Sequence, residues 1–240
     1  MAKLTTTARQ LGLAVQLPDD ENLATFIDGE NRSQVAALTA FADAGSGAGQ
    51  SSPWCLLTGA AGVGKTHLLH ALCAAAPQHA MYLSLADIAK QAEPSVLSGL
   101  EQVQLLCLDD VEAVLADEAW CYALFSLLNK VSDAQQSRIV MTSRASANQV
   151  KTALADLTSR LQWGLPLQLQ ELSDPYKVKA LQLRAKMRGM ELQADVAQFM
   201  LHRLGRSMRS LMQCLAQLDE ASLAAQRRLT IPFVKRELSI

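Results

Sequence analysis

The chain has 240 residues, enough for one large domain or one domain with a small appendage, and its 50% hydrophobic against 19% charged composition excludes wholesale disorder. The formal net charge of -1 hides an asymmetry: residues 1–174 carry 10 Lys and Arg against 18 Asp and Glu, and residues 175–240 carry 12 against 5. The longest charge-free stretches, 44–64 and 67–86, are broken by Gly, Ser, Pro, Gln and His, so no membrane span is expected. The N-terminal MAKLTTTARQ lacks an apolar export signal, which makes a cytoplasmic address the expectation.

In chain order, a Gly/Ser loop at 44–53 precedes a first apolar run at 54–58, read as a buried strand. Further runs follow at 81–85, 105–108, 138–142 and 165–169, separated by segments of helical periodicity that include 67–76 and 118–131. Strands alternating with helices predict a parallel sheet with crossover helices. Beyond 169 the strand signal stops. Ser173-Asp174-Pro175 reads as a capped helix start and Gly189 as its stop, with further helices predicted at 195–204 and 207–227 and a last one starting at Thr230-Ile231-Pro232. The expected organisation is an N-terminal arm over 1–21, an α/β body over 22–172 and a small helical unit over 173–240. The basic charge of that unit either meets phosphates or forms a solvated helix surface.

Between the first strand and the helix after it, Gly59-Ala60-Ala61-Gly62-Val63-Gly64-Lys65-Thr66 fits G-x-x-x-x-G-K-[ST] in the context that pattern requires. Glycines there let backbone N–H groups turn onto phosphate oxygens, and the helix N-terminus adds the positive end of its dipole. Lys65 is expected to reach the β and γ phosphates and the Thr66 hydroxyl to bind Mg²⁺. The third run ends in Asp109-Asp110, at the sheet edge where ligands bind in open α/β folds. Asp109 is expected to hold the Mg²⁺ shell and Asp110 to orient or deprotonate a water. The five cysteines have no C-x-x-C spacing and read as small buried hydrophobes. His67 and His70, three apart on a helix, lack a third ligand, so a transition-metal site is not expected.

Taken together these segments resemble the AAA+ ATPases, and within them the bacterial replication initiator DnaA. GAAGVGKTHLLHA, LLCLDDVEAV, RIVMTS, LTSRLQWGL and GRSMRSLMQCLAQLD resemble in order its Walker A, Walker B, sensor 1, arginine-finger and sensor 2 segments, and NLATFIDGEN is similar to the lead-in to its ATPase body. QLPDDENLATFIDG, LTSRLQWG and AQRRLTIPFVKREL look closest to the Hda group of short DnaA-like regulators. With ten residues after Thr230, no helix-turn-helix domain is expected, so contact with DNA would be indirect.

The resemblance implies a five-stranded parallel AAA+ fold with a helical lid. It also implies binding of an adenine nucleotide, ADP in the active form, with Mg²⁺. The residues so implicated are Phe26, Ile27, Gly59, Gly62, Val63, Gly64, Lys65, Thr66, His67, Asp109 and Arg209, the last as sensor 2. Arg160, expected after a helix and before the last strand, is implied to act as an arginine finger on a neighbouring subunit, a role that suits a planar, permanently charged guanidinium. Thr142-Ser143 is followed by Arg144 where initiators tend to have Asp, which implies weak hydrolysis by the chain itself. Gln10, Leu11 and Leu13 are similar to the Q-L-x-L peptides that dock on the DNA polymerase sliding clamp. The function implied is negative regulation of replication initiation by stimulating ATP hydrolysis in DnaA. Self-association through AAA+ surfaces is a further expectation. An autonomous AAA+ ATPase resembling a helicase loader is the alternative.

Overall fold

A computed structural model describes residue 18 and residues 20–43, 52–146, 148–205, 207–225 and 229–240. The clamp-like peptide at Gln10, Leu11 and Leu13 and most of the Gly/Ser loop, 44–51, lie outside the described residues. After α1 (Arg32–Asp43), strands β1 (Trp54–Thr58), β2 (Ala80–Ser84), β3 (Leu105–Asp109), β4 (Arg138–Ser143) and β5 (Leu165–Gln168) pair in parallel, in the order β2-β3-β4-β1-β5. The expected five-stranded parallel sheet is therefore present. Its central strands were legible as unbroken apolar runs because helices cover both their faces.

Alternation along each strand divides the core. Trp54 and Leu56 face a cluster with Leu106 and Leu108 of β3, Leu124 and Leu128 of α4 (Glu118–Ala134) and Leu157 and Leu161 of α5 (Ala155–Trp163). Cys55 and Leu57 face the other way, onto Leu38 and Phe41 of α1 and Leu68, Leu69 and Leu72 of α2 (Lys65–Ala75). Four cysteines are buried and Cys214 is half-buried, all as free thiols. The C-terminal helices α6 (Asp174–Met187), α7 (Ala194–Arg203), α8 (Met208–Ala225) and α9 (Ile231–Leu238) enclose a third cluster around Leu181, Met200, Leu215 and Phe233.

Most element ends differ from the sequence reading by one to three residues, and three local departures have a physical reason. The helix expected from 67 begins at Lys65, because Gly64 leaves the preceding loop at φ 102 and the helical turn starts directly after it. The strand expected over 81–85 ends at Ser84, whose side chain accepts from Asp87 N–H and starts the short α3 (Leu85–Ile88), so Leu85 is a helix residue. Ser173 precedes α6 as expected but its side chain makes no capping bond; Pro175 sets the first turn instead. Among the described residues no helix is long and apolar enough to cross a membrane.

Candidate functional site

The carboxyl ends of β1, β3 and β4 lie side by side, and strand register decides which side chains meet there. Leu108 pairs with Met141, so the next residues, Asp109 and Thr142, are neighbours, and Thr142 Oγ1 donates to Asp109 Oδ1. Asp109 Oδ2 accepts from Thr66 Oγ1 at 2.7 Å and from Tyr82 OH at 3.0 Å. Burial, reinforced by the Asp109 charge, raises the Tyr82 phenol, so Tyr82 stays protonated and donates. Thr142 Oγ1 also accepts from Asp110 N–H at 2.9 Å. Asp110 sits in the left-handed region at φ 52 and ψ 51, a conformation that costs a non-glycine residue about 1 kcal/mol or more. Burial, then the Asp109 and Glu112 charges, raise the Asp110 carboxyl against the pull of Arg144 and Lys65.

Above this edge the loop between β1 and α2 wraps one side of a cavity of about 620 Å³. Lys65, almost buried, donates from Nζ to Gly59 O at 2.7 Å and Ala60 O at 3.0 Å, which ties its ammonium to the loop. Burial lowers the Lys65 ammonium, and the carboxylates of Glu112, Asp110 and Asp109 partly oppose that. Gly64 is required twice over: its φ is positive, and a Cβ would come within 2.7 Å of Phe26 Cε2. Phe26 also meets His67 edge to face at 5.2 Å. From the lid, Arg209 of α8 closes over Gly62, where an added Cβ would lie 3.5 Å from Arg209 N.

The structure thus brings Phe26, Ile27, Gly62, Val63, Gly64, Lys65, Thr66, His67, Asp110 and Arg209 to one cavity. Asp109 lies beneath Thr66, and Gly59 beneath the loop, where it donates to Ser143 O at 3.3 Å. Arg160 is elsewhere: it stands in the last turn of α5, not after the helix, and does not line the cavity. Backbone amides at the α2 N-terminus, Lys65 and Arg209 could hold phosphate oxygens, and the Thr66 hydroxyl with Asp109 offers the oxygen pair a hydrated Mg²⁺ takes. The residues present fit a Mg²⁺–polyphosphate ligand.

Arg144, which the sequence marks only as a departure from the initiators' Asp, also lines the cavity, as do Lys177 and Arg184, which sequence reasoning missed. Arg144 Nε lies 3.4 Å from Glu112 Oε1, and the buried Lys177 ammonium 3.5 Å from Glu171 Oε2. It also missed a strap over residues 20–25. Arg184 of α6 lies 2.5 Å from Asp20 Oδ2 and 3.9 Å from Glu21 Oε1, while His70 Nδ1 of α2 meets Glu21 Oε2 at 2.6 Å. His67 Nε2 bonds Thr25 Oγ1 at 3.2 Å and Asn22 O at 3.1 Å. The two histidines therefore fasten the strap to the body, while Arg184 ties it to the lid.

The His70 hydrogen bond holds the Glu21 carboxyl below its ordinary value; for Asp20, burial works against ionisation but Arg184 and Arg188 outweigh it. Carboxyls lowered in the folded state stabilise it above the ordinary carboxylate range, and that contribution is lost as pH falls through the lowered values. Arg184→Ala should cost about 1–2 kcal/mol at pH 7, discounted for partial exposure, a Tm drop of about 2–8 °C. Thermal unfolding across pH 7 to 3 should show the gap between parent and variant narrowing; a constant gap would mean that the strap's ion pairs do not carry it.

The family model for the bacterial DnaA ATPase domain matches residues 17–168, and that for the Hda lid domain matches residues 174–238. Among solved structures, domain III of the Thermotoga maritima replication initiation protein DnaA is similar over 93% of this chain and 97% of its own, with TM-score 0.75 and 20% identity. AMPPCP-bound DnaA from Aquifex aeolicus is 23% identical at TM-score 0.67, over 84% of this chain and 65% of that one. A Thermotoga maritima RuvB variant is 16% identical at TM-score 0.69, over 93% of this chain and 72% of that one. These likenesses are of fold.

Proposed function

The chain belongs to the family of bacterial DnaA ATPase domains, and we propose that it is a negative regulator of replication initiation that makes DnaA hydrolyse its ATP. In this reading its own cavity holds an adenine nucleotide, ADP in the active form, with Mg²⁺ on Thr66 and Asp109. Arg160 then serves as an arginine finger in a site completed by DnaA. The observation that carries the reading is the placement of Arg160, half-buried in the last turn of α5 and outside the cavity that Lys65, Thr66 and Arg209 share. A guanidinium there is available to a second molecule's phosphates. The match of residues 174–238 to the Hda lid domain supports the same reading.

Recruitment is assigned to the arm, with Gln10, Leu11 and Leu13 engaging the DNA-loaded sliding clamp, so that DNA is met only through the clamp. The protein acts in the cytoplasm and at the nucleoid through these partners, and a homo-oligomer covering Arg160 would hold it inactive. A second reading, an autonomous AAA+ ATPase acting on DNA, draws on Asp110, whose strained backbone and raised carboxyl suit a water-handling residue.

Measuring ATP hydrolysis separates the two. The chain alone should be slow, and adding it to ATP-loaded DnaA with DNA-loaded clamp should accelerate hydrolysis by DnaA. Triple Ala substitution at Gln10, Leu11 and Leu13 should remove clamp binding while nucleotide binding persists. Fast hydrolysis by the isolated chain, unchanged by DnaA and clamp, favours the autonomous enzyme; clamp binding retained by the triple variant moves that contact to the body.

A further inference from the structure

Residues three apart on a helix share a face, and in the last turn of α5 these are Arg160 and Trp163. The Arg160 guanidinium carbon lies 5.8 Å from the Trp163 ring centroid, within cation–π range. Trp163 is 49% exposed, one of the few large apolar side chains in the structure left so open. Its inner edge is not free: it meets Trp54 edge to face at 5.2 Å and 74°. Trp54 is fully buried in β1, and its Nε1–H donates to the Arg160 backbone carbonyl at 3.1 Å. Gly164 completes the arrangement, since a Cβ there would come within 2.5 Å of Trp54 Cδ1 and 2.8 Å of Trp54 Nε1.

The two tryptophans therefore hold one residue from both ends. Trp54 fixes the Arg160 main chain to the sheet core, and Trp163 carries its side chain. Among the described residues no carboxylate pairs with Arg160. The distinction matters chemically. A carboxylate would occupy the guanidinium's donor fork and cancel its charge, whereas a ring face holds the cation by its quadrupole and leaves the N–H groups available to an anion. Arg side chains lose much rotamer freedom when they bind, so a cation held in advance binds a phosphate with less ordering left to do.

We propose that Trp163 is the positioning residue for Arg160: its half-exposed ring holds the guanidinium extended and unpaired for the γ-phosphate of a nucleoside triphosphate bound by a second protein. This rests on the reading of Arg160 as a finger acting in trans, and it adds what keeps that finger ready.

The test titrates the full chain into ATP-loaded DnaA with DNA-loaded clamp and reads two quantities, the plateau rate of ATP hydrolysis and the chain concentration giving half of it. Trp163→Leu keeps an apolar side chain but removes the ring; it should lower the plateau about 3- to 30-fold, the range of cation–π contributions at exposed to desolvated sites. The half-saturating concentration should move less than about twofold, and Trp163→Phe, which keeps a ring face, should restore most of the plateau. In the isolated protein, acrylamide quenching of tryptophan emission should rise in Arg160→Ala as the guanidinium leaves the exposed ring. A Trp163→Leu plateau equal to the parent's, while Arg160→Ala is inactive, overturns the positioning role and leaves the finger standing. Equal losses in the Leu and Phe variants, or a shift in half-saturation alone, overturn it as well, the second by making Trp163 a docking contact. A parent-like plateau for Arg160→Ala removes the finger and this proposal with it.

Discussion

Lys65→Ala should weaken adenine-nucleotide binding by about 10- to 100-fold, the effect of losing one charge-assisted hydrogen-bonding group worth roughly 1.5–3 kcal/mol. The ammonium is nearly buried at the rim of the cavity and anchored on Gly59 O and Ala60 O, so it costs little further ordering when a phosphate arrives. Burial already lowers its proton affinity, and nearby polyphosphate charge would restore it, which makes anion binding and full protonation of Lys65 mutually reinforcing. Removal also leaves two loop carbonyls without their donor, so the titration belongs beside a thermal melt that shows the variant folded. Calorimetry with ADP gives the answer directly. Equal affinity in parent and variant would mean that phosphates do not sit in the 59–66 loop.

What the sequence disclosed and what it hid follow from the range of the interactions. The strands β1, β3 and β4 were readable because burial on both faces leaves an unbroken apolar signature, and the loop from Gly59 to Thr66 because phosphate cradles impose residue types at fixed local spacing. Apolar periodicity extends the strand to Leu85 because it does not register that Ser84 caps a helix. The strap was invisible: Arg184 Nη1 donates to Asp20 O at 2.9 Å across 164 positions, and nothing local to either residue marks the other. His67 and His70, set aside as metal ligands, are the body's side of that strap. Arg144 and Lys177 belong to the same class, cavity residues brought in by β4 and by the lid. For Arg160 the local motif gave the residue but set it after a helix, whereas it lies in the last turn of α5, where an i, i+3 partner can hold it.

Arg160→Ala should leave the fold, nucleotide binding and clamp binding intact and abolish stimulation of DnaA. The substitution keeps the backbone carbonyl that accepts from Trp54 Nε1, and it removes no side chain from the cavity around Lys65 and Arg209. Arginine fingers supplied in trans are worth about 10³ to 10⁵ in rate among GTPases, so even an attenuated version, roughly tenfold or more, would dominate a coupled hydrolysis assay. Lys at this position should rescue poorly, because a point charge cannot bridge two phosphoryl oxygens as the planar fork does. The pattern expected is therefore a variant that binds ADP and clamp as the parent does, forms the same assembly with DnaA, and leaves the hydrolysis rate near that of DnaA alone. An Ala variant that stimulates as well as the parent would make Arg160 a structural residue of α5, and the protein would have to act on its partner by some route other than completing its ATPase site.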